Sequence, residues 1–304
     1  MQTWQIEASD GAVVGGYFWP VETPRGAIQI AHGMGEHAGR YERVAQALNA
    51  AGYTVVANDH RGHGITGQAK LGYFGIDGWN RVLADAYEIN RWLAQNCPDV
   101  PLVLMGHSMG AMLAQQYVTR YGHSIDLLVL SGSPGFKAKS INPLPGWILA
   151  FETWRVGSEN GSETMQKLLF GSANNAFASP EATGFEWLSA DPAEVQKYVE
   201  DDRCGFVIAT GSLKDLYGGA GAASHPDSVA KIPKTLPIYV FAGTADPVNS
   251  EQQDIERMVA AYREGGLTAI DVRWYEDGRH EMLNETNRDE VTADLLAWLA
   301  KQIP

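Results

Sequence analysis

Hydrophobic residues follow two different periods along the chain. Continuous apolar runs predict buried strands, because a strand that is covered on both faces has no polar side. These runs are GAIQIAHG (26–33), YTVVAND (53–59), PLVLMG (101–106), DLLVLSG (126–132), LPIYVFAG (236–243) and AIDVRWYE (269–276). Between them, apolar residues recur every three or four positions, which predicts amphipathic helices. The helices are RYERVAQALNAAG (40–52), WNRVLADAYEINRWLAQ (79–95), residues 109–121, SEQQDIERMVAAYREGG (250–266) and DEVTADLLAWLAKQ (289–302).

The start of the chain has a pattern of its own. Residues 3–9 and 13–20 predict two strands joined at Asp10-Gly11, a dipeptide typical of hairpin turns. Beyond this hairpin, strands alternate with helices, which is typical of an α/β fold. We therefore expect a mainly parallel sheet with helices on both faces and an N-terminal antiparallel hairpin.

The alternation of strands and helices stops between residues 134 and 234. This segment has no strand-like run, short helical patterns at 161–171 and 191–202, and a GGAGAA stretch (218–223) that we interpret as a flexible patch or hinge. Prolines recur in it, at Pro143, Pro145, Pro180, Pro192, Pro226 and Pro233. A structureless loop of this length is uncommon in a compact domain. We predict a helical cap at 134–234, inserted into a sheet domain formed by residues 1–133 and 235–304.

Composition narrows the functional classes. The formal net charge of −13 argues against a nucleic-acid partner, because phosphate binding requires clustered lysine and arginine. The only cysteines, Cys97 and Cys204, are not in a metal-binding spacing, so we expect free thiols and no metal. No apolar run is long enough for a membrane-spanning helix, and the N-terminus lacks the features of a secretory signal. We expect a cytoplasmic protein with no integral membrane segment.

The stretch GHSMG (106–110) provides a candidate nucleophile, Ser108. A GxSxG stretch between a strand and a helix is typical of the nucleophile elbow of α/β hydrolases. In an elbow, small residues at Gly106 and Gly110 let the strand and the helix pass without a clash. The alternative is a serine that merely occupies a strand-to-helix turn.

A nucleophilic serine requires a base and a residue that orients the base. His280 follows the last predicted strand, and Asp246 follows the strand before it, so both belong to carboxyl-end loops that converge in a parallel sheet. The chain order of Ser108, Asp246 and His280 is the order expected for this fold. Asp246 has two alternative roles, opening a turn with Pro247 or capping the helix at 250, and Asp277 is a rival carboxylate. We expect His60 and His63 to line the site, and His107, His123 and His225 to have other roles.

The stretch HGMG (32–35), after the first parallel strand, resembles a loop that donates a backbone N–H to an oxyanion. We assign the two oxyanion donors to the backbone N–H groups of Met34 and Met109.

Five segments in chain order resemble the monoacylglycerol lipase and lysophospholipase-like branch, a serine aminopeptidase-type branch, of the α/β-hydrolase superfamily. They are HGMGEHAGRY, NDHRGHG, GHSMG, AGTADPVN and GRHEMLNE. The resemblance implies a carboxyl-ester hydrolase that acts without a cofactor on lipid or other acyl esters, such as monoacylglycerols or lysophospholipids. It also implies a helical cap after the sixth strand. It places the nucleophile, acid and base on Ser108, Asp246 and His280, and the oxyanion donors on Met34 and Met109. One departure is Ala111, where the family often has a third glycine.

Three functions stay open at this point. The first is an esterase or lipase. The second is an aminopeptidase or acyltransferase that uses the same three residues; amine capture would favour an acid in the cap. Candidate acids are Glu152, Glu159, Glu163, Glu186 and Asp191. The third is a binding protein on a hydrolase scaffold. An apolar acyl pocket in the cap has as its candidate residues Trp147, Phe151, Trp154, Phe170, Phe177, Phe185 and Trp187.

Overall fold

A computed structural model describes residues 1–67, 69–137, 146–250 and 252–303. Its centre is an eight-stranded sheet in the order β1-β2-β4-β3-β5-β6-β7-β8. The strands are β1 Gln2–Glu7, β2 Val13–Trp19, β3 Gly26–Ala31, β4 Tyr53–Asn58, β5 Leu102–His107, β6 Leu127–Ser131, β7 Ile238–Gly243 and β8 Ile270–Tyr275. β1 and β2 are antiparallel, β2 is antiparallel to β4, and all other pairs are parallel. The predicted α/β fold with its N-terminal hairpin is confirmed.

Ten α-helices occur in the part of the chain that the structure describes. They are α1 Glu42–Ala50, α2 Gly78–Asn96, α3 Met109–Tyr121, α4 Gly146–Val156, α5 Glu163–Phe170, α6 Pro192–Glu200, α7 Thr210–Ala223, α8 Pro226–Val229, α9 Gln253–Glu264 and α10 Arg288–Gln302. Each helix predicted from its period is present, with ends shifted by a few residues.

Burial along the strands explains why the central runs have no polar side. Every residue of β3, β4, β5, β6 and β7 is buried, since helices cover both faces of the sheet. The edge strands β1 and β8 instead alternate between more and less exposed positions. The continuous apolar runs therefore belong to the interior of the sheet, where the carboxyl ends of parallel strands share one edge.

In the described part of the chain between β6 and β7, five α-helices occur, α4 to α8. Within its described part, this segment has no strand, only an isolated bridge between Gly161 and Ala209. α7 packs against α2 and α3, and its Leu213 and Leu216 belong to the same apolar core as Trp79 of α2. The boundaries 134–234 for a cap remain a prediction, and Pro143 and Pro145 lie outside the described residues.

The interpretation of GGAGAA as a flexible hinge is wrong, because residues 218–223 form the last turns of α7. A Cβ atom at Gly219 would lie 2.0 Å from Nε1 of Trp79. The small residues thus permit close packing of α7 on α2. No helix of the described chain is long and apolar enough to cross a membrane. Both cysteines are free thiols.

Candidate active site

Ser108 lies between β5 and α3 in a backbone conformation that a non-glycine residue rarely adopts, with φ 50° and ψ −114°. Its N–H donates to the carbonyl oxygen of Ser131 in the adjacent strand at 3.0 Å. The side chain is half-buried. This strained turn at the carboxyl end of a central strand is the geometry of a nucleophile elbow.

The two glycines of GHSMG make this turn possible. A Cβ atom at Gly106 would lie 2.2 Å from the carbonyl oxygen of Gly110, and one at Gly110 would lie 2.0 Å from the carbonyl oxygen of Ala31. Both neighbours are backbone atoms that cannot move aside. The prediction that small residues let β5 and α3 pass each other is confirmed.

His280 and Asp246 form a buried pair. Nδ1 of His280 lies 2.9 Å from Oδ2 of Asp246, and the two residues are 2% and 1% exposed. The other oxygen of Asp246 accepts from the N–H of Val248 at 2.9 Å, so one carboxylate both caps the following turn and faces the imidazole. The rival carboxylate, Asp277, is exposed.

The charges around His280 favour its protonated form. Burial acts to lower the pKa of His280, but the charge and hydrogen bond of Asp246, together with Glu281 and Glu36, raise it above the ordinary value for histidine. An imidazole with a raised pKa holds a proton more firmly once it has taken one. That is the electrostatic setting in which a carboxylate stabilises an imidazolium.

Sheet topology brings His280 from β8 towards Ser108 on β5. The loop of His280 passes over the end of β6, where a Cβ atom at Gly132 would lie 2.7 Å from the carbonyl oxygen of His280. The ring of His280 then packs 4.9 Å from that of His107, the neighbour of Ser108. Among the residues that the structure describes, no hydrogen bond joins Ser108 Oγ to His280. Catalytic hydrogen bonds are often long without substrate and tighten when it binds.

Residues 32–36, which we call the oxyanion loop after its predicted role, leave the sheet beside Ser108. Ala31 pairs with Gly106 in the parallel register of β3 and β5, so the two loops emerge side by side. A Cβ atom at Gly33 would lie 3.3 Å from the Cβ of Ser108. Within the described chain, the N–H groups of Met34 and Met109 donate to no other group. Met109 is the first residue of α3, whose N-terminus carries a partial positive charge.

Comparison with known proteins adds the family. Residues 22–287 match the family described as serine aminopeptidase, S33. The chain is 28% identical over 293 residues to the monoacylglycerol lipase of Mycolicibacterium smegmatis, covering 94% of this chain and 92% of that protein. It is 35% identical over 295 residues to the monoglyceride lipase homolog of Monkeypox virus, covering 94% of each. The crystal structure of a thermostable carboxyl esterase from Bacillus coagulans superposes with a TM-score of 0.90 at 27% identity, over 100% and 99% of the chains.

The chain belongs to this family of α/β hydrolases. It is a carboxylic ester hydrolase, and the family resemblance of its motifs is confirmed. The roles of individual residues in the hydrolase are not tested by these similarities and stay predictions.

Of the other histidines of the hydrolase, His60 and His63 hydrogen-bond to the oxyanion loop. The His60 N–H donates to Nε2 of His32 at 3.0 Å, and the Gly35 N–H donates to Nε2 of His63 at 3.3 Å, so the loop after β4 supports the oxyanion loop. Burial lowers the pKa of His60 to about 3 and that of His63 to about 4, which keeps both rings neutral. His123 and His225 are exposed.

The motif analysis missed a buried charge network in the hydrolase. Arg40 donates to Glu36 at 2.7 Å and, with two nitrogens, to Glu281 at 2.6 and 2.7 Å. Burial acts to raise the pKa of Glu281, but the charge and hydrogen bonds of Arg40 lower it below its usual range. Because Glu281 follows His280 and Glu36 ends the oxyanion loop, Arg40 joins the oxyanion loop to the loop of His280. The sequence feature that points to this network is the presence of the three charged residues inside the motifs HGMGEHAGRY and GRHEMLNE.

A segment between α5 and α6 also holds the loop of His280. The N–H groups of His280 and Glu281 donate to the carbonyl oxygens of Trp187 and Leu188 at 3.3 and 2.7 Å. The ring of Trp187 packs 5.0 Å from that of His280. Trp187 therefore covers the imidazole of His280, which is 2% exposed, and limits its access to water.

Of the seven aromatic residues expected to line an acyl pocket, three are exposed. Trp147, Phe151 and Trp154 of α4 are 72%, 53% and 79% exposed. The other four, Phe170, Phe177, Phe185 and Trp187, pack together in a cluster with Leu188 and Tyr198. Only Trp187 of the seven is in ring contact with His280.

One group of side chains combines the ligand types that metals prefer. Ligand atoms of His37, Asp201 and Cys204 lie within 4.8 Å of one another. However, Asp201 already accepts from His37 at 2.8 Å and from Arg203 at 3.1 Å, and burial raises the pKa of the Cys204 thiol. Asp201 is thus already engaged by the His37 ring and by an ion pair with Arg203, next to the end of α6.

Proposed function

We propose that the hydrolase cleaves small acyl esters, such as monoacylglycerols or lysophospholipids, through an acyl-enzyme on Ser108. The observation that carries this proposal is the buried His280–Asp246 pair, at 2.9 Å, on loops that converge on the strained turn of Ser108. Monoacylglycerol as the substrate is supported by the names of the relatives above. The unoccupied N–H groups of Met34 and Met109 support their assignment as oxyanion donors.

The proposed reaction has two balanced steps. His280 accepts the proton of the Ser108 hydroxyl as Oγ bonds to the ester carbonyl carbon, and the carbonyl oxygen takes the negative charge. The N–H groups of Met34 and Met109 bind this oxyanion. His280 then gives the proton to the leaving alcohol, while Asp246 stabilises the imidazolium. Water repeats the sequence on the acyl-enzyme and releases the acid.

We also propose that residues 134–234 act as a cap over this site. The support is the position of α4 to α8 between β6 and β7, and the backbone contacts of Trp187 and Leu188 with the loop of His280. A cytoplasmic location stays a prediction that cell fractionation tests.

The experiment compares Ser108→Ala with the wild type on p-nitrophenyl esters of increasing chain length and on a monoacylglycerol. We expect Ser108→Ala to lower kcat/KM by at least about 10³-fold and to abolish labelling by a fluorophosphonate probe. Ser224→Ala, at the end of α7 and away from the sheet edge, is the matched control and should keep full activity. Ester hydrolysis that survives in Ser108→Ala would remove the proposal.

The aminopeptidase or acyltransferase alternative is not favoured. Amine capture requires an acid without a partner, and most of the candidate acids are engaged. Glu152 pairs with Arg155, Glu159 with Lys70 and Asp191 with Arg288, while Glu186 accepts from Thr183 and Asn174. Glu163 is exposed in the first turn of α5. Faster cleavage of an aminoacyl anilide than of a nitrophenyl ester would reverse this ranking.

A further inference from the structure

Residues 198–205, at and after the end of α6, hydrogen-bond to one backbone oxygen of the oxyanion loop, the carbonyl oxygen of Gly35. The hydroxyl of Tyr198, on α6, donates to the carbonyl oxygen of Gly35 at 2.8 Å. The N–H of Gly205 donates to the same oxygen at 2.9 Å. Tyr198 is 6% exposed, and burial raises the pKa of its hydroxyl, so the hydroxyl keeps its proton and donates it.

The backbone conformation of Gly35 explains why hydrogen bonds to its carbonyl oxygen matter. It follows Met34 and has a φ of +67°, in the left-handed region, where glycine moves freely among many backbone states. Its N–H is held by His63 at 3.3 Å and its carbonyl oxygen by Tyr198 and Gly205. Fixing both peptide groups of Gly35 fixes the direction of the chain on the far side of Met34.

The other end of the loop is fixed in a similar way. The N–H of Gly33 donates to Oε1 of Glu36 at 2.6 Å, and Glu36 is in turn held by Arg40. The N–H groups on either side of Met34 are thus engaged inside the protein, and the N–H of Met34 is left for the oxyanion. The ring of Tyr198 also lies 4.9 Å from the guanidinium of Arg40, so one side chain contacts both anchors of the loop.

We propose that Tyr198 is a positioning residue for the oxyanion hole, whose hydroxyl holds the Gly35 carbonyl and thereby keeps the Met34 N–H directed at the reacting oxygen. The proposal rests on the proposed function, since it assigns Tyr198 to that same site. It also links the position of α6 to the chemistry, because displacement of α6 from the sheet domain would release Gly35.

Two other roles for Tyr198 give different results. A purely structural role would change the stability of the protein and leave kcat unchanged in the folded enzyme. Direct contact with substrate would raise KM for the ester. The Kd of a tetrahedral adduct would then rise by no more than the KM of the substrate. A positioning role lowers kcat and leaves KM unchanged, because the oxyanion exists only in the transition state.

The test is Tyr198→Phe, which removes one oxygen and keeps the ring beside Arg40. Steady-state kinetics on p-nitrophenyl butyrate give kcat and KM, and a trifluoromethyl ketone reports on the oxyanion. Its carbonyl accepts Ser108 Oγ, and the resulting oxygen anion occupies the oxyanion hole. We expect kcat to fall about tenfold, KM to stay within about twofold, and the Kd of the ketone to rise by a similar tenfold, as for the loss of one aligned hydrogen bond.

The matched control is Tyr217→Phe on α7, whose hydroxyl bonds to nothing in the described chain. It should leave kcat and the ketone Kd unchanged, and thermal unfolding shows whether both variants are folded at the assay temperature. An unchanged kcat in folded Tyr198→Phe, or a change in KM alone, overturns the positioning role while ester hydrolysis itself persists. Failure of the proposed function has another signature, namely activity that survives in Ser108→Ala.

Discussion

Replacing Arg40 with methionine removes the group that neutralises two buried carboxylates. The guanidinium is 11% exposed and its three hydrogen bonds to Glu36 and Glu281 are 2.6 to 2.7 Å long. Glu36 and Glu281 are 3% and 5% exposed. Methionine fills a similar volume, so the change mainly removes charge and hydrogen bonds. Removing one partner of a buried pair costs about 3–5 kcal/mol, because the other charge stays buried without compensation.

Glu36 and Glu281 differ in the hydrogen bonds that remain to them in Arg40→Met. Glu36 still accepts from the hydroxyl of Tyr41 at 2.9 Å and from the N–H of Gly33 at 2.6 Å. Among the described residues, Glu281 keeps only the side-chain amide of Asn284 as a hydrogen-bond donor, at 2.9 Å. Most of the loss should therefore arise at Glu281. We expect Arg40→Met to lower the free energy of unfolding by about 4 kcal/mol at pH 7.

A double-mutant cycle tests this assignment. Glu281→Gln alone should cost about 2 kcal/mol, because Arg40 keeps its bond to Glu36. The double variant Arg40→Met with Glu281→Gln should cost about 3–4 kcal/mol, well below the sum of the single changes, since no charge remains at position 281. Urea unfolding followed by tryptophan fluorescence gives the three free energies from linear extrapolation.

The pH dependence gives an independent check. In the wild type, Arg40 holds the pKa of Glu281 below its unfolded value, so this stability is present at neutral pH and is lost as the pH falls through the lowered pKa. In Arg40→Met, burial should raise that pKa, so the folded variant gains stability by binding a proton as the pH falls. The gap between the two proteins should shrink from pH 8 to pH 5. A cost below about 1 kcal/mol, or costs that simply add, would refute the reasoning.

Two further predictions concern the base and α7. Asp246→Asn should lower the raised pKa of His280, so the acid limb of the pH profile of kcat/KM should move to lower pH. The value of kcat should fall by about 10³–10⁴-fold. An acid limb that moves to higher pH would contradict the pairing of Asp246 with His280. Gly219→Ala should lower Tm, because its Cβ would lie 2.0 Å from Trp79, whereas Gly218→Ala, with open space around it, should stabilise α7 by up to about 1 kcal/mol. Equal shifts of Tm for the two alanine variants would show that α7 does not pack closely on α2.

The sheet and its covering helices follow from local patterns. The strand β5 is buried at every position and α3 begins directly after it, so the GHSMG turn could be located from the sequence alone. The helices α4 and α7 were not predicted, because neither has a polar–apolar period. α4 exposes large aromatic residues, and α7 is rich in glycine and depends on packing against α2 and α3. Tertiary contacts override low helix propensity in α7.

Prediction of the site from local sequence patterns has the same limit, since tertiary contacts leave no local pattern. Each motif predicts where a residue stands along the chain, and the parallel sheet brings the loops of Ser108 and His280 to one edge. Contacts between distant residues have no such signal. Arg40 and Glu281 are 241 positions apart, and Tyr198 is 163 positions from Gly35. Neither pair has a spacing or a period that points from one partner to the other.

These distant contacts predict that substitutions in the residues after His32 will impair function. Gly33 has no room for a side chain beside Ser108, and Gly35 is held from both sides. Glu36 and Arg40 join the same stretch to the loop of the base. A substitution here would move the oxyanion donor, the base and the contact with α6 together, because one short segment supports all three. We therefore expect function in this hydrolase to depend also on residues that do not contact substrate, with the largest effects at those that join two loops.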